Sequence, residues 1–351
     1  MPHLAVLPDD GLQAAHAPMT QKATYGWDAF DQDRVRAIRQ RRADAVDTTG
    51  ASGMHCPLMH HDEWLPWEYG GASNGTILHG DPGVRFHASP TYVLHEPLGN
   101  FIAGHRLIQT ALDGTWEKAD SHRLGDENSE DALIWNVFRS LQEAAQLSVV
   151  VELFAGIRPV QEPELYLWGR RIGLDDTSDW PSLSERRGEI EPWTGQKAEP
   201  DCIIRLPGEA LIFIEAKFGS PIATKHSDAA RDEWFARYDG TCPGLFDRDA
   251  ISVTPARVFP EQLLRNAALV RQMRQSGEHL IVVALTRAAD QTSADVVARQ
   301  CLREGTEIDV RRGTWEGIYE ALPPQAELDL LRDYLEHKSY RLQHAFGLPA
   351  V

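Results

Sequence analysis

The chain is 351 residues long, enough for one large domain or two ordinary ones with a sizeable core. With 42% hydrophobic and 25% charged residues it has a globular composition, and its net charge of −17 weighs against a protein that coats nucleic acid through a general positive field. The four cysteines, Cys56, Cys202, Cys242 and Cys301, are far apart without CxxC spacing. That argues for a reducing compartment and against a disulfide framework or a cysteine-only zinc site. MPHLAVLPDDG at the start lacks the basic and apolar regions of a secretory signal, and no apolar run approaches the ~20 residues of a membrane span. The expectation is a cytoplasmic protein with no membrane association.

Residues 1–122 are poorly periodic and rich in His, Trp, Gly and Pro, and read as an accessory region. DAFDQDRVRAIRQRRADAV is a candidate short helix, with Phe30, Val35 and Ile38 on one face. Residues 84–108 look like short strands broken by Pro and Gly. HCPLMHHDEW gathers His55, Cys56, His60 and His61, but lacks the paired spacing of zinc modules. Residues 123–351 are expected to form the second domain. There NSEDALIWNVFRSLQEAAQL has a polar N-cap, acidic first-turn residues and helical apolar spacing. The helix can run on into VVVELFAG, or that cluster can be a strand. PELYLWGRRI reads as one strand and the stretch from Asp175 to Gln196 as a long polar loop. CIIRL–PGE–ALIFIEAKF is a hairpin, followed by a polar excursion from Gly219 to Val258. FPEQLLRNAALVRQMRQSG is a helix, HLIVVALT a strand, and TWEGIYEAL and AELDLLRDYLEHKSYRL closing helices. The GIY within TWEGIYEAL is core packing. The order implies a mixed sheet with helices on its faces.

The hairpin raises the chemical question. Asp201, Glu215 and Lys217 stand on or inside two apolar runs, where uncompensated charge is expensive. Residues two apart on a strand share a face, so Glu215 and Lys217 project together with Phe213 and Leu211 behind them. A turn centred on Gly208 sets Asp201 opposite Glu215, with Cβ atoms ~5 Å apart. Two carboxylates that close repel unless one is protonated or a cation lies between them. Such an oxygen-rich site suits Mg²⁺ or Mn²⁺, beside which the Lys217 ammonium can stabilise phosphoryl charge or orient water.

Pro200-Asp201 followed by Glu215-Ala216-Lys217 resembles the PD-(D/E)xK motif of the restriction-endonuclease-like nuclease superfamily, over roughly residues 120–290. The resemblance implies an αβββαβ core and metal-dependent hydrolysis of nucleic acid, most readily DNA. It implies a Mg²⁺ or Mn²⁺ ion on Asp201, Glu215 and the Ala216 carbonyl, with Lys217 activating water. An acidic residue on the first core helix would complete the metal shell; of Glu127, Glu130 and Asp131, Glu130 shares a face with Ile134, Val137 and Leu141. Gln262 matches a glutamine that many members carry on the helix after the motif, with Arg265 one turn on. Lys225 and His226 are loop residues within possible reach of a phosphate, more simply read as solvated. A partner subunit or homo-oligomer could supply the basic surface that the chain lacks. Two rivals stand beside this reading. One is a catalytically silent nuclease-fold module that binds nucleic acid or protein. In the other, the three charges are a salt-bridge network at the rim of an ordinary α/β sheet.

Overall fold

The computed structural model describes the chain from Asn100 onward, apart from 114–123, 125–128, 194–198, 223–226, 291, 337, 341–342 and 349–351; before Asn100 it describes the backbone of five short strands. The chain divides into two compact units, Met1–Leu133 with Glu336–Ala345, and Ile134–Leu335 with Phe346–Val351. Among the described residues, no helix is long and apolar enough to cross a membrane.

In the first unit β1 (Gly53–His55) pairs antiparallel with β2 (Trp64–Pro66). β3 (Thr76–Leu78), β4 (Val84–His87) and β5 (Tyr92–Leu94) form an antiparallel sheet. The strands expected over 84–108 therefore hold only to Leu94. From His105 the chain is helical, in α1 (His105–Asp113). Leu107, Ile108, Ala111 and Leu112 are all buried, and their spacing matches one face of a helix and not of a strand. The helix expected near residues 28–46 and the cluster Cys56, His60 and His61 lie outside the described residues. Of His55, only the backbone, in β1, is described.

α2 (Glu130–Glu143) is the helix its pattern predicts, and Ser129 Oγ accepts from Ala132 N at 3.1 Å as its N-cap. It does not run on: Ala145 at φ 53° breaks it, and VVVELFAG becomes a second helix, α3 (Leu147–Ala155), closed by Gly156 at φ 70°.

The second unit is built on a seven-stranded mixed sheet. The strands are β6 (Glu164–Leu167), β7 (Arg170–Ile172), β8 (Thr177–Asp179), β9 (Cys202–Leu206), β10 (Ala210–Ala216), β11 (His279–Thr286) and β12 (Ile308–Thr314), in the order β12-β11-β10-β9-β6-β7-β8. β10, β11 and β12 are parallel and the remaining pairs antiparallel. PELYLWGRRI is a hairpin and not one strand, because Trp168 (φ 52°) and Gly169 (φ 75°) take the two left-handed positions of a tight hairpin turn. The stretch after it is not a loop either. It holds β8 and α4 (Pro181–Ile190), a helix with proline in its first turn and only Leu183 and Ile190 buried.

The excursion from Gly219 to Val258 is likewise largely helical. α5 (Asp228–Thr241) is capped by Ser227 and α6 (Arg248–Val253) by Asp247. Trp234, Phe235 and Tyr238 carry α5 into a core shared with Leu211, Phe213, Val282 and Val310. α7 (Glu261–Met273) lies against β10 and β11, and α8 (Ala294–Cys301) links β11 to β12. On the opposite face α3 packs with α9 (Trp315–Ala321). There Phe154 occupies the space beside Gly313, where an added Cβ would come within 2.6 Å of its ring. Ile318 of the GIY stretch is fully buried. The last helix, α10 (Asp329–Glu336), is shorter than expected, and a small hairpin of β13 (Ser339–Tyr340) and β14 (Gln343–His344) follows.

Candidate active site

The Pro-Gly turn fixes everything that follows. Gly208 at φ 78° allows the left-handed position the turn requires, and Glu209 N bonds to Leu206 O at 2.9 Å. The register then runs Ala210↔Leu206 to Ile214↔Cys202. Continued by one residue, it sets Asp201 against Glu215. The two strands thus bring their carboxylates to the same end of the sheet.

β10 is buried along its whole length between β9 and β11, as an apolar run on both faces predicts. Glu215 retains only 3% exposure and Lys217 8%. The Lys217 Nζ lies 2.6 Å from Glu215 Oε1, and Asn266 Nδ2 of α7 donates to Glu215 Oε2 at 3.2 Å. Asp201 is half-buried, and its Oδ2 accepts from the Ala216 backbone N–H at 2.9 Å. The strand end itself is pinned. Lys217 N donates to Leu285 O of β11 at 2.8 Å, and Trp315 Nε1 donates to Lys217 O at 3.1 Å. These anchors fix the backbone from which Glu215 and Lys217 project. Burial, and then the neighbouring Asp201 charge, push the Cys202 thiol up, so this cysteine is no nucleophile.

The other expected residues are placed differently. Glu130 opens α2 as a half-buried first-turn acid, and it belongs to the first unit. Gln262 is half-buried in the first turn of α7, and the side chain that meets Glu215 comes from Asn266, one turn later on the same face. Arg265 is committed within the fold. It grips the buried Glu191 with Nε at 2.6 Å and Nη2 at 2.9 Å, and the Tyr238 hydroxyl also donates to that carboxylate. Lys225 and His226 lie outside the described residues. Asn266 was missed because an asparagine among leucines and alanines gives no signal in one sequence; its burial reveals it.

Among the described residues, no group of three or more His, Cys, Asp or Glu is arranged to hold a metal ion. A divalent cation here would rest on two carboxylates, those of Asp201 and Glu215, with the Ala216 carbonyl and water. That donor set is all hard oxygen and fits Mg²⁺, which keeps several waters and is commonly held by one or two carboxylates together with substrate phosphate.

Comparison with family models, with curated proteins and with solved structures finds no match.

Proposed function

We propose that the second unit is a metal-dependent nuclease with a restriction-endonuclease-like core, hydrolysing phosphodiester bonds, most readily in DNA. The observation that carries this reading is the convergence of Asp201, Glu215 and Lys217 at one end of a buried strand pair. The topology supports it. β6, β9 and β10 form an antiparallel meander, and β11 returns parallel to β10 after α7. With α2 ahead of them, and α3, the β7–β8–α4 excursion and the α5–α6 excursion set aside, this is the helix–strand–strand–strand–helix–strand order that the motif implies.

In this reading Asp201, Glu215 and the Ala216 carbonyl hold Mg²⁺ or Mn²⁺. The ion, when bound, supplies charge stabilisation to the phosphoryl oxygens. Lys217 holds and polarises the attacking water, and Asn266 fixes the Glu215 carboxylate. Gln262 as a substrate contact belongs to the proposal on the motif's analogy alone. The net charge of −17 assigns the broad basic surface for DNA to a partner subunit or a second copy.

One observation favours a second reading. Lys217 and Asn266 between them engage both oxygens of Glu215, as they would in a salt-bridge network with no chemistry. Incubation of supercoiled and linear DNA with the purified protein in Mg²⁺, Mn²⁺ or EDTA, beside Lys217→Ala, separates the two. Metal-dependent nicking that the variant loses supports the nuclease. Silence in every metal together with no Mn²⁺ binding by calorimetry would establish the network as structural.

A further inference from the structure

A cavity of about 500 Å³ opens immediately beyond the site. Its wall begins at Gly219 and Ser220, two and three residues past Lys217, and continues through Thr286 at the end of β11 and Thr292 and Ser293 ahead of α8. Arg257 reaches it from a 3₁₀ turn, Ala256–Val258, and is exposed. β10 and β11 run parallel, so the cavity lies outside their carboxyl ends, the place where open α/β sheets take ligands. Its volume lies in the range of pockets that hold small ligands.

The charge of the lining defines the ligand. Asp290 also borders the cavity, but Arg287 holds its carboxylate, with Nε at 3.0 Å from Oδ2. Arg257 adds a guanidinium whose planar donors match a phosphate. The hydroxyls of Thr292 and Ser293 can donate to its remaining oxygens. In a chain of net charge −17, a polyanion needs such a local cation to approach at all.

We infer that this cavity receives the sugar–phosphate backbone of the DNA strand next to the bond being cut, with Arg257 as its cationic contact. The inference rests on the nuclease reading for the identity of the polyanion. Arg257 is a positioning residue: it orients the strand so that the scissile phosphate meets Glu215 and Lys217.

The test is fluorescence anisotropy of a short fluorescein-labelled DNA in EDTA, where no cleavage occurs. It compares the wild type with Arg257→Ala, Arg257→Lys and Arg158→Ala. Arg158 is an exposed arginine paired with Glu152 and serves as the control for net charge. Arg257→Ala is expected to weaken binding about tenfold, in line with the loss of charged hydrogen bonds. Arg257→Lys should recover part of the loss, and Arg158→Ala should bind as the wild type does. Wild-type affinity in Arg257→Ala, an equal loss in Arg158→Ala, or no binding by the wild type would each overturn the inference. Cleavage is scored separately in Mg²⁺. A protein that binds DNA through Arg257 yet never cuts it retains the cavity and loses the nuclease reading; one that cuts normally as Arg257→Ala does the reverse.

Discussion

Neighbouring residues of one helix serve two buried charge clusters of different character. Arg265 of α7 holds Glu191 through two hydrogen bonds, Tyr238 adds a third, and α4, α5 and α7 are thereby tied together. Burial works against the Arg265 charge, yet the hydrogen bonds to Glu191 keep the guanidinium firmly protonated. The Tyr238 phenol is pushed far up by burial, and its proton stays in the cluster. Asn266, the next residue, reaches the opposite kind of site. There Glu215 and Lys217 stand at a strand end beside a cavity, with the second carboxylate of Asp201 on the adjoining strand. A planar, bidentate fork locks three elements in place; a flexible ammonium over paired carboxylates is suited to exchange partners with a metal, a water or a phosphate.

The contrast can be broken by substitutions that separate stability from activity. Lys217→Ala should lower metal-dependent cleavage by about 10³-fold, within the span usual for loss of a group that assists proton transfer. This is read as kcat under single-turnover conditions, with folding checked by circular dichroism. Arg265→Ala should behave in the converse way. It leaves Glu191 buried with its main counter-charge gone, at a cost of about 3–5 kcal/mol in urea denaturation, while cleavage per folded molecule is unchanged. On the opposite face of the sheet, Gly313→Ala drives a methyl group into the Phe154 ring. It should destabilise by about 1–3 kcal/mol without touching either cluster. The smallest effect concerns the thiols. Burial raises Cys202, Cys242 and Cys301, and all three are free. At a pH where an ordinary thiol is partly ionised they remain protonated, so peptide mapping should find these three thiols unmodified by iodoacetamide until denaturant exposes them.

Much of the site was legible because it depends on short-range rules. A Pro-Gly turn and period-two alternation fix the register of β9 on β10, and that register alone brings Asp201 to Glu215. The apolar run of β10 announced an interior strand in the same way. What was illegible depends on tertiary contacts. α5 buries an arginine, Arg231, beside Trp234, Phe235 and Tyr238 and carries many charges elsewhere, so its pattern resembled a loop until the cap at Ser227 is seen. β12 alternates only weakly and carries two exposed or half-exposed arginines, Arg311 and Arg312, in its middle. Its place at the sheet edge explains that tolerance. Asn266 needed the fold outright, because its partner is 51 residues away in sequence.

The most direct test replaces both charges at once. Glu215→Gln combined with Lys217→Met removes the buried pair without stranding either partner, and such replacements are commonly neutral or stabilising. Plasmid nicking in Mg²⁺ and thermal unfolding would be measured on the same preparation. The account predicts metal-dependent nicking by the wild type, and a double variant at least as stable that does not nick. Nicking that survives undiminished in the double variant would contradict it and move the chemistry elsewhere.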